Sequence, residues 1–157
     1  MAKYYLETSA LVKRYKQENG SDFVNKLFNE GHDLFYLNLA IIEIRKVFYR
    51  LYLWPQKLEG DIQITKEQFL ALDTKFAQDL LKMRKIDFTD EMIEKSRQIL
   101  EKIWLKSVFD LSHLSAFLII KEIYPDLIFV CSEKSKLIEA IKLFINTNDI
   151  EIPEYKI

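Results

Sequence analysis

The sequence predicts an α/β fold in three layers, a central parallel sheet with helices on both faces. Short apolar runs alternate along the chain with segments of helical period, and parallel neighbours need crossover connections of that kind. One run, Leu127-Ile128-Phe129-Val130-Cys131, is apolar without interruption, the pattern of a strand buried on both faces. With 157 residues, 49% of them apolar, the chain can bury a core without metals or disulfides as staples, and a single domain over 1–157 is expected.

The first strand reads Tyr4-Tyr5-Leu6 and ends on an acid, Glu7, before Ser9–Gln17 turns helical. Glu18-Asn19-Gly20-Ser21 stops that helix and caps the next, over Ser21–Asn29. Gly31 breaks it, and Leu34–Leu37 is short enough for a buried strand. A long helix begins near Asn38, carries Glu43, and is ended by Trp54-Pro55. Gly60 marks a turn, and Thr65 with Gln68 forms a capping box for a helix reaching about Met83. Lys85–Phe88 is a brief strand, after which Thr89 caps a helix to about Lys106. Asp110 begins another helix, whose stretch Leu111–Ile120 is apolar enough to be largely buried. After the strand Leu127–Cys131 come Ser132-Glu133, a helix over Ser135–Phe144, and an edge strand over Asp149–Pro153 closed by proline.

Composition excludes several classes of function. A net charge of −1 gives no global pull toward nucleic acid or anionic membrane, so any RNA contact must come from local patches. None of the three glycines belongs to a dinucleotide or phosphate-loop pattern, which sets a small-molecule α/β enzyme low. The lone Cys131 has no disulfide partner, and no stretch at the start resembles a secretory leader or a span of about twenty apolar residues. A cytoplasmic protein without a membrane partner is expected.

Four acids claim attention together: Glu7, Glu43, Asp110 and Glu133. Right-handed crossovers put all strand ends on one edge, where α/β proteins bind ligands, so these distant carboxylates can share a cleft. Hard oxygen donors suit Mg²⁺ or Mn²⁺. Each acid also has a plainer reading: Glu7 and Asp110 as helix caps, Glu43 as the partner of Lys46, Glu133 as a solvated turn. His113, three residues after Asp110, faces the same side of its helix, and Lys13, Arg14 and Lys134 offer weak RNA contacts. Trp54, Tyr49 and Tyr52 can stack bases, although packing is the commoner role of aromatics near a helix end.

In four ordered segments the chain resembles PIN-domain proteins of the VapC toxin type. Tyr4-Tyr5-Leu6-Glu7-Thr8-Ser9-Ala10-Leu11-Val12-Lys13 is similar to the family's opening strand and Asp-Thr-Ser-Ala-Leu-Val-Lys. Ala40–Arg45 resembles the second acidic motif, Phe109–Ala116 the third, and Phe129–Lys134 the fourth, and the likeness runs from about Lys3 to Pro153. It implies a PIN α/β/α sandwich and metal-dependent endonucleolytic cleavage of RNA, with Glu7, Glu43, Asp110 and Glu133 as catalytic residues and ligands of Mg²⁺ or Mn²⁺. Ser9, Ser132 and His113 would orient those carboxylates. A cognate antitoxin and a homodimer are implied as well.

The first and fourth acids are normally Asp in that family and are Glu here. The added methylene moves each carboxylate by about 1 Å, and Mg²⁺ demands near-octahedral bonds. Reduced activity follows as an expectation, and so does an alternative: a catalytically impaired PIN-like module that binds RNA or protein.

Overall fold

The computed structural model describes residues 1–156. Its elements run β1 (Lys3–Leu6), α1 (Thr8–Leu11), α2 (Ser21–Asn29), β2 (Asp33–Leu37), α3 (Leu39–Leu53), α4 (Lys66–Lys82), β3 (Arg84–Ile86), α5 (Asp90–Leu100), α6 (Val108–Ile123), β4 (Ile128–Val130), α7 (Leu137–Ile141) and β5 (Ile150–Glu151). The five strands form one sheet in the order β3-β2-β1-β4-β5, every neighbouring pair parallel. The chain thus winds outward from β1 twice, once through β2 and β3 and once through β4 and β5. The strand order changes direction between β1 and β4, the place where open α/β sheets leave a crevice at their carboxyl ends.

Two-residue alternation sorts the strand side chains into two cores. Tyr5, Phe35, Leu37, Phe129 and Cys131 pack on one face with apolar residues of α5, α6 and α7. Leu6, Leu34, Tyr36 and Val130 pack on the other with residues of α1 to α4. Tyr5 and Phe129, register partners on adjacent strands, stack with ring centroids 5.6 Å apart. The result is the three-layer α/β/α arrangement.

Several boundaries differ from expectation. The predicted helix Ser9–Gln17 is only one α-turn followed by a 3₁₀ turn over Val12–Arg14. The N–H groups of Tyr15 and Lys16 both reach the Val12 carbonyl, and the tightened turn carries the Tyr15 ring into the core. The helix capped by Thr89 ends at Leu100 rather than near Lys106, because Lys102 and Ile103 both donate to the Ile99 carbonyl and close the last turn. Helix α6 starts before Asp110: Ser107 is its N-cap, accepting from the Asp110 N–H at 3.2 Å. Helix α7 and strand β5 are shorter than predicted, while the capping box at Thr65 and Gln68 forms with both of its bonds. No helix among the described residues is long and apolar enough to cross a membrane.

Candidate active site: an acidic cleft at the switch in strand order

A cleft of about 800 Å³ opens at the carboxyl edge of the sheet. Glu7, Thr8 and Ser9 line it from the end of β1, Glu43 from α3 and Asp110 from α6. Each layer therefore contributes one acid, and residues 36 and 103 positions beyond Glu7 meet it because β1 lies at the centre of the sheet.

Glu7 is 3% exposed. Its Oε2 accepts from the Ser9 N–H at 3.0 Å and from the Ser9 hydroxyl, so it does cap α1, with the cleft on its other side. Ser9 Oγ in turn accepts from the Ser132 N–H at 2.9 Å, tying the end of β4 to the end of β1. Glu43 is held by a second set of bonds. Its Oε1 accepts from Thr8 Oγ1 at 2.7 Å and from His113 Nε2 at 2.7 Å, rather than pairing with Lys46 as the plainer reading of Glu43 would have it. His113 is fully buried, and its Nδ1 lies 2.7 Å from the Tyr5 hydroxyl. In the neutral ring Nε2 donates to the carboxylate and Nδ1 accepts from the phenol; in the charged ring both nitrogens donate. Tyr5 stays protonated, since burial and then the charges of Glu7 and Glu43 push its pKa well up.

The electrostatics of the three acids are coupled. Burial raises the pKa of Glu7, and the Glu43 charge adds to that rise against opposing help from His113 and Ser9. Burial likewise raises Asp110, with Glu43 pushing the same way and His113 and Lys136 pulling down. For His113, burial works against the charged form, yet the Glu43 hydrogen bond and the charges of Glu7, Glu43 and Asp110 outweigh it and raise its pKa. Negative charge is thus concentrated and only partly compensated within the cleft.

The fourth predicted acid is not brought to the cleft wall. Glu133 is exposed on the turn after β4, where its N–H donates to Glu154 at 2.9 Å. Ser132 lies beside it and gives its hydroxyl to Glu154 at 2.6 Å rather than to a cleft carboxylate. Two of the three basic candidates are engaged inside the fold. Lys13 is 5% exposed, donating to Glu18 at 3.0 Å and the Asn19 carbonyl at 2.8 Å. Arg14 bonds Asp79 at 3.1 Å and Asn25 at 2.9 Å, and neither cation is free for phosphate. Lys134 does line the cleft. Tyr49 and Tyr52 pack on Phe69 with ring centroids 4.9 and 5.0 Å away, away from the acids.

Other residues of the site were not singled out by sequence reasoning. Thr8 and Tyr5 fix Glu43 and His113, and Lys106 joins Lys134 and Lys136 on the cleft wall. Thr8 follows Glu7 directly, a signal in plain view. Nothing in the spacing marks Glu154, whose side chain is 3% exposed and whose Oε1 has no hydrogen-bond partner among the described residues.

The donor chemistry fits a hard divalent cation. Oε1 of Glu7, Oε2 of Glu43 and both oxygens of Asp110 accept no hydrogen bond from described residues, although all three side chains line the cleft. No three His, Cys, Asp or Glu side chains among the described residues converge on a single point as ligands. Carboxylate oxygens are nonetheless the donor type that Mg²⁺ or Mn²⁺ takes.

A chain of the crystal structure of DNA-bound VapBC from Salmonella typhimurium superposes on this one with a TM-score of 0.58 at 13% identity, covering 97% of each chain. The fold is PIN-like. At that identity the likeness concerns the three-layer sandwich itself, with the parallel sheet that the sequence motifs implied. No family model matches the sequence, and no curated protein matches it.

Proposed function

We propose that the protein is a metal-dependent endoribonuclease of the PIN/VapC type, the toxin of a toxin-antitoxin pair. The observation that carries this reading is the cleft itself: three acids with free oxygens, one from each layer, beside Lys106, Lys134 and Lys136. The PIN-like fold and the four ordered sequence motifs support it.

Glu7 and Asp110 would hold Mg²⁺ or Mn²⁺, with Glu43 completing the shell directly or through water. Bound there, the ion would lower the pKa of a coordinated water and stabilise charge developing on the phosphate. The chain's own residues do the positioning. Thr8 and His113 fix the Glu43 carboxylate through Oε1 and leave Oε2 toward the cleft. Tyr5 holds the His113 ring, and Ser9 holds Glu7. The lysines offset the repulsion between an acidic floor and a polyanion. Exposed apolar residues of α3 and α4, among them Ile42, Tyr49, Leu53 and Leu70, support a protein partner, an antitoxin or a second copy.

The test is cleavage of structured RNA with Mg²⁺ or Mn²⁺, with a chelator and Asp110→Asn as controls. Activity should vanish with chelator and fall more than about 100-fold in the variant, beyond what losing an outer partner of a metal ligand costs. Cleavage that survives both controls would falsify the proposal. The lack of three convergent ligands favours one other reading, a PIN-like module that binds RNA or protein without cutting. RNA binding unchanged by Asp110→Asn, with no cleavage under either metal, would identify it.

A further inference from the structure

In the segment between α5 and α6, residues 103–107 form one wall of the cleft and present an indole to solvent. Trp104 is 79% exposed, while its neighbours are anchored: Leu105 is 8% exposed, and Ile103 packs on the core and donates to the Ile99 carbonyl at 3.0 Å. A large apolar ring is thus held out of the core by a segment fixed on both sides of it. Lys106 stands two residues on, and Lys134 and Lys136 line the same cleft. An exposed ring beside cations that can receive phosphate is the pairing by which proteins grip single-stranded nucleic acid, bases stacking on the aromatic face while the backbone follows the positive charge.

We propose that Trp104 is a stacking platform for an unpaired base of the RNA substrate, next to the bond presented to the acids. The proposal rests on the nuclease reading and specifies its substrate. Bases in a duplex are already stacked on one another, so their faces are closed to the indole. The charge pattern favours RNA over an apolar protein partner at this position, because the lysines share the cleft with the ring.

Binding can be read without catalysis. The chain has two tryptophans, so Trp54→Phe leaves Trp104 as the only indole. In that background, with Asp110→Asn and chelator present, a short single-stranded oligoribonucleotide should quench Trp104 fluorescence, and a blunt duplex of the same sequence should not. Measured by anisotropy of labelled RNA, Trp104→Ala should weaken binding by about 5- to 150-fold, while Trp104→Phe retains most of the affinity. In the metal-loaded wild-type background, Trp104→Ala should raise KM more than it lowers kcat. Single-stranded RNA that binds without quenching, or with equal affinity for Trp104→Ala, overturns the platform and leaves the nuclease reading standing. So does a blue shift of Trp104 emission that grows with protein concentration alone, since the ring then belongs to a protein contact. Equal quenching by the duplex also overturns the platform, since its bases offer the indole no open face. If wild-type protein neither binds nor cuts any RNA, the nuclease reading falls and takes the platform with it.

Discussion

Glu7 shows what a site residue costs the fold. Its carboxylate is buried, its pKa is raised first by that burial, and the Glu43 charge works in the same direction. With the folded pKa raised and no cation bound, the ionised form of Glu7 opposes folding. Glu7→Gln, which keeps an oxygen to accept from Ser9, should therefore be more stable than wild type in chelator by about 0.5–2 kcal/mol, the range of stabilising changes at functional sites. Thermal unfolding checks this, and added Mn²⁺ should raise the Tm of wild type and leave the variant unmoved. Thr8 gives the complementary case. Thr8→Val keeps the shape and removes the donor to Glu43, so activity or Mn²⁺ affinity should fall about 10- to 100-fold in a metal titration.

Helix α6 carries two site residues three positions apart, and its start is set by Ser107. Ser107→Ala should lower stability by about 1 kcal/mol in denaturant unfolding through loss of the cap. Activity should drop further than that loss implies, because Asp110 lies in the turn that the cap fixes. Farther from the cleft, Asp61 ties the 54–64 connection to two elements, accepting from Arg50 at 2.6 Å and Lys16 at 3.3 Å. The Arg50 hydrogen bond, with help from Lys16, holds its carboxyl below the usual range. A lowered folded pKa means stability that is present above the unfolded value and lost as pH falls through the folded one. Asp61→Asn should thus cost about 1 kcal/mol at pH 7, with wild type and variant converging as pH falls below the ordinary Asp range in pH-dependent unfolding.

Elements were legible where period and punctuation agreed. The Thr65 box and the strand runs at Leu34 and Leu127 fall close to where they were read. The misplaced end of α5 has a physical cause: Ile103-Trp104-Leu105 prolongs an apolar rhythm, while the chain turns at Glu101-Lys102 without glycine or proline. Glu7, Glu43 and Asp110 were readable because each stands where a strand end or helix start aims it at the carboxyl edge. Glu133 reads the same way, yet its turn is drawn aside by Glu154, 21 residues later. Only the folded chain reveals that contact. Arg14 reads as available for a similar reason, since its acceptor Asp79 is brought to it by tertiary structure, whereas Lys13 folds back on its near neighbours Glu18 and Asn19.

At the scale of the whole molecule, distant segments meet. Gly20 adopts φ of +93°, and a Cβ there would come within 2.8 Å of the Pro153 side chain and 3.1 Å of the Glu154 backbone nitrogen. Gly20→Ala should therefore cost more than the roughly 1–3 kcal/mol of a left-handed backbone alone, because the added methyl also displaces Pro153 and Glu154. The Tm should fall, and protection of the Glu133 amide from hydrogen exchange should fall with it, since that N–H is held by Glu154.

The central place of β1 also orders events during synthesis. Tyr4, Tyr5 and Leu6 pair with Ile128, Phe129 and Val130, so the first strand gains its second neighbour only after more than a hundred further residues have been made. Until that pairing forms, the sheet has no switch in strand order, and Glu7 and Asp110 have no shared cleft to face. A nascent chain is thus kept from assembling its three acids until nearly all of it has been made, a delay supplied by topology alone.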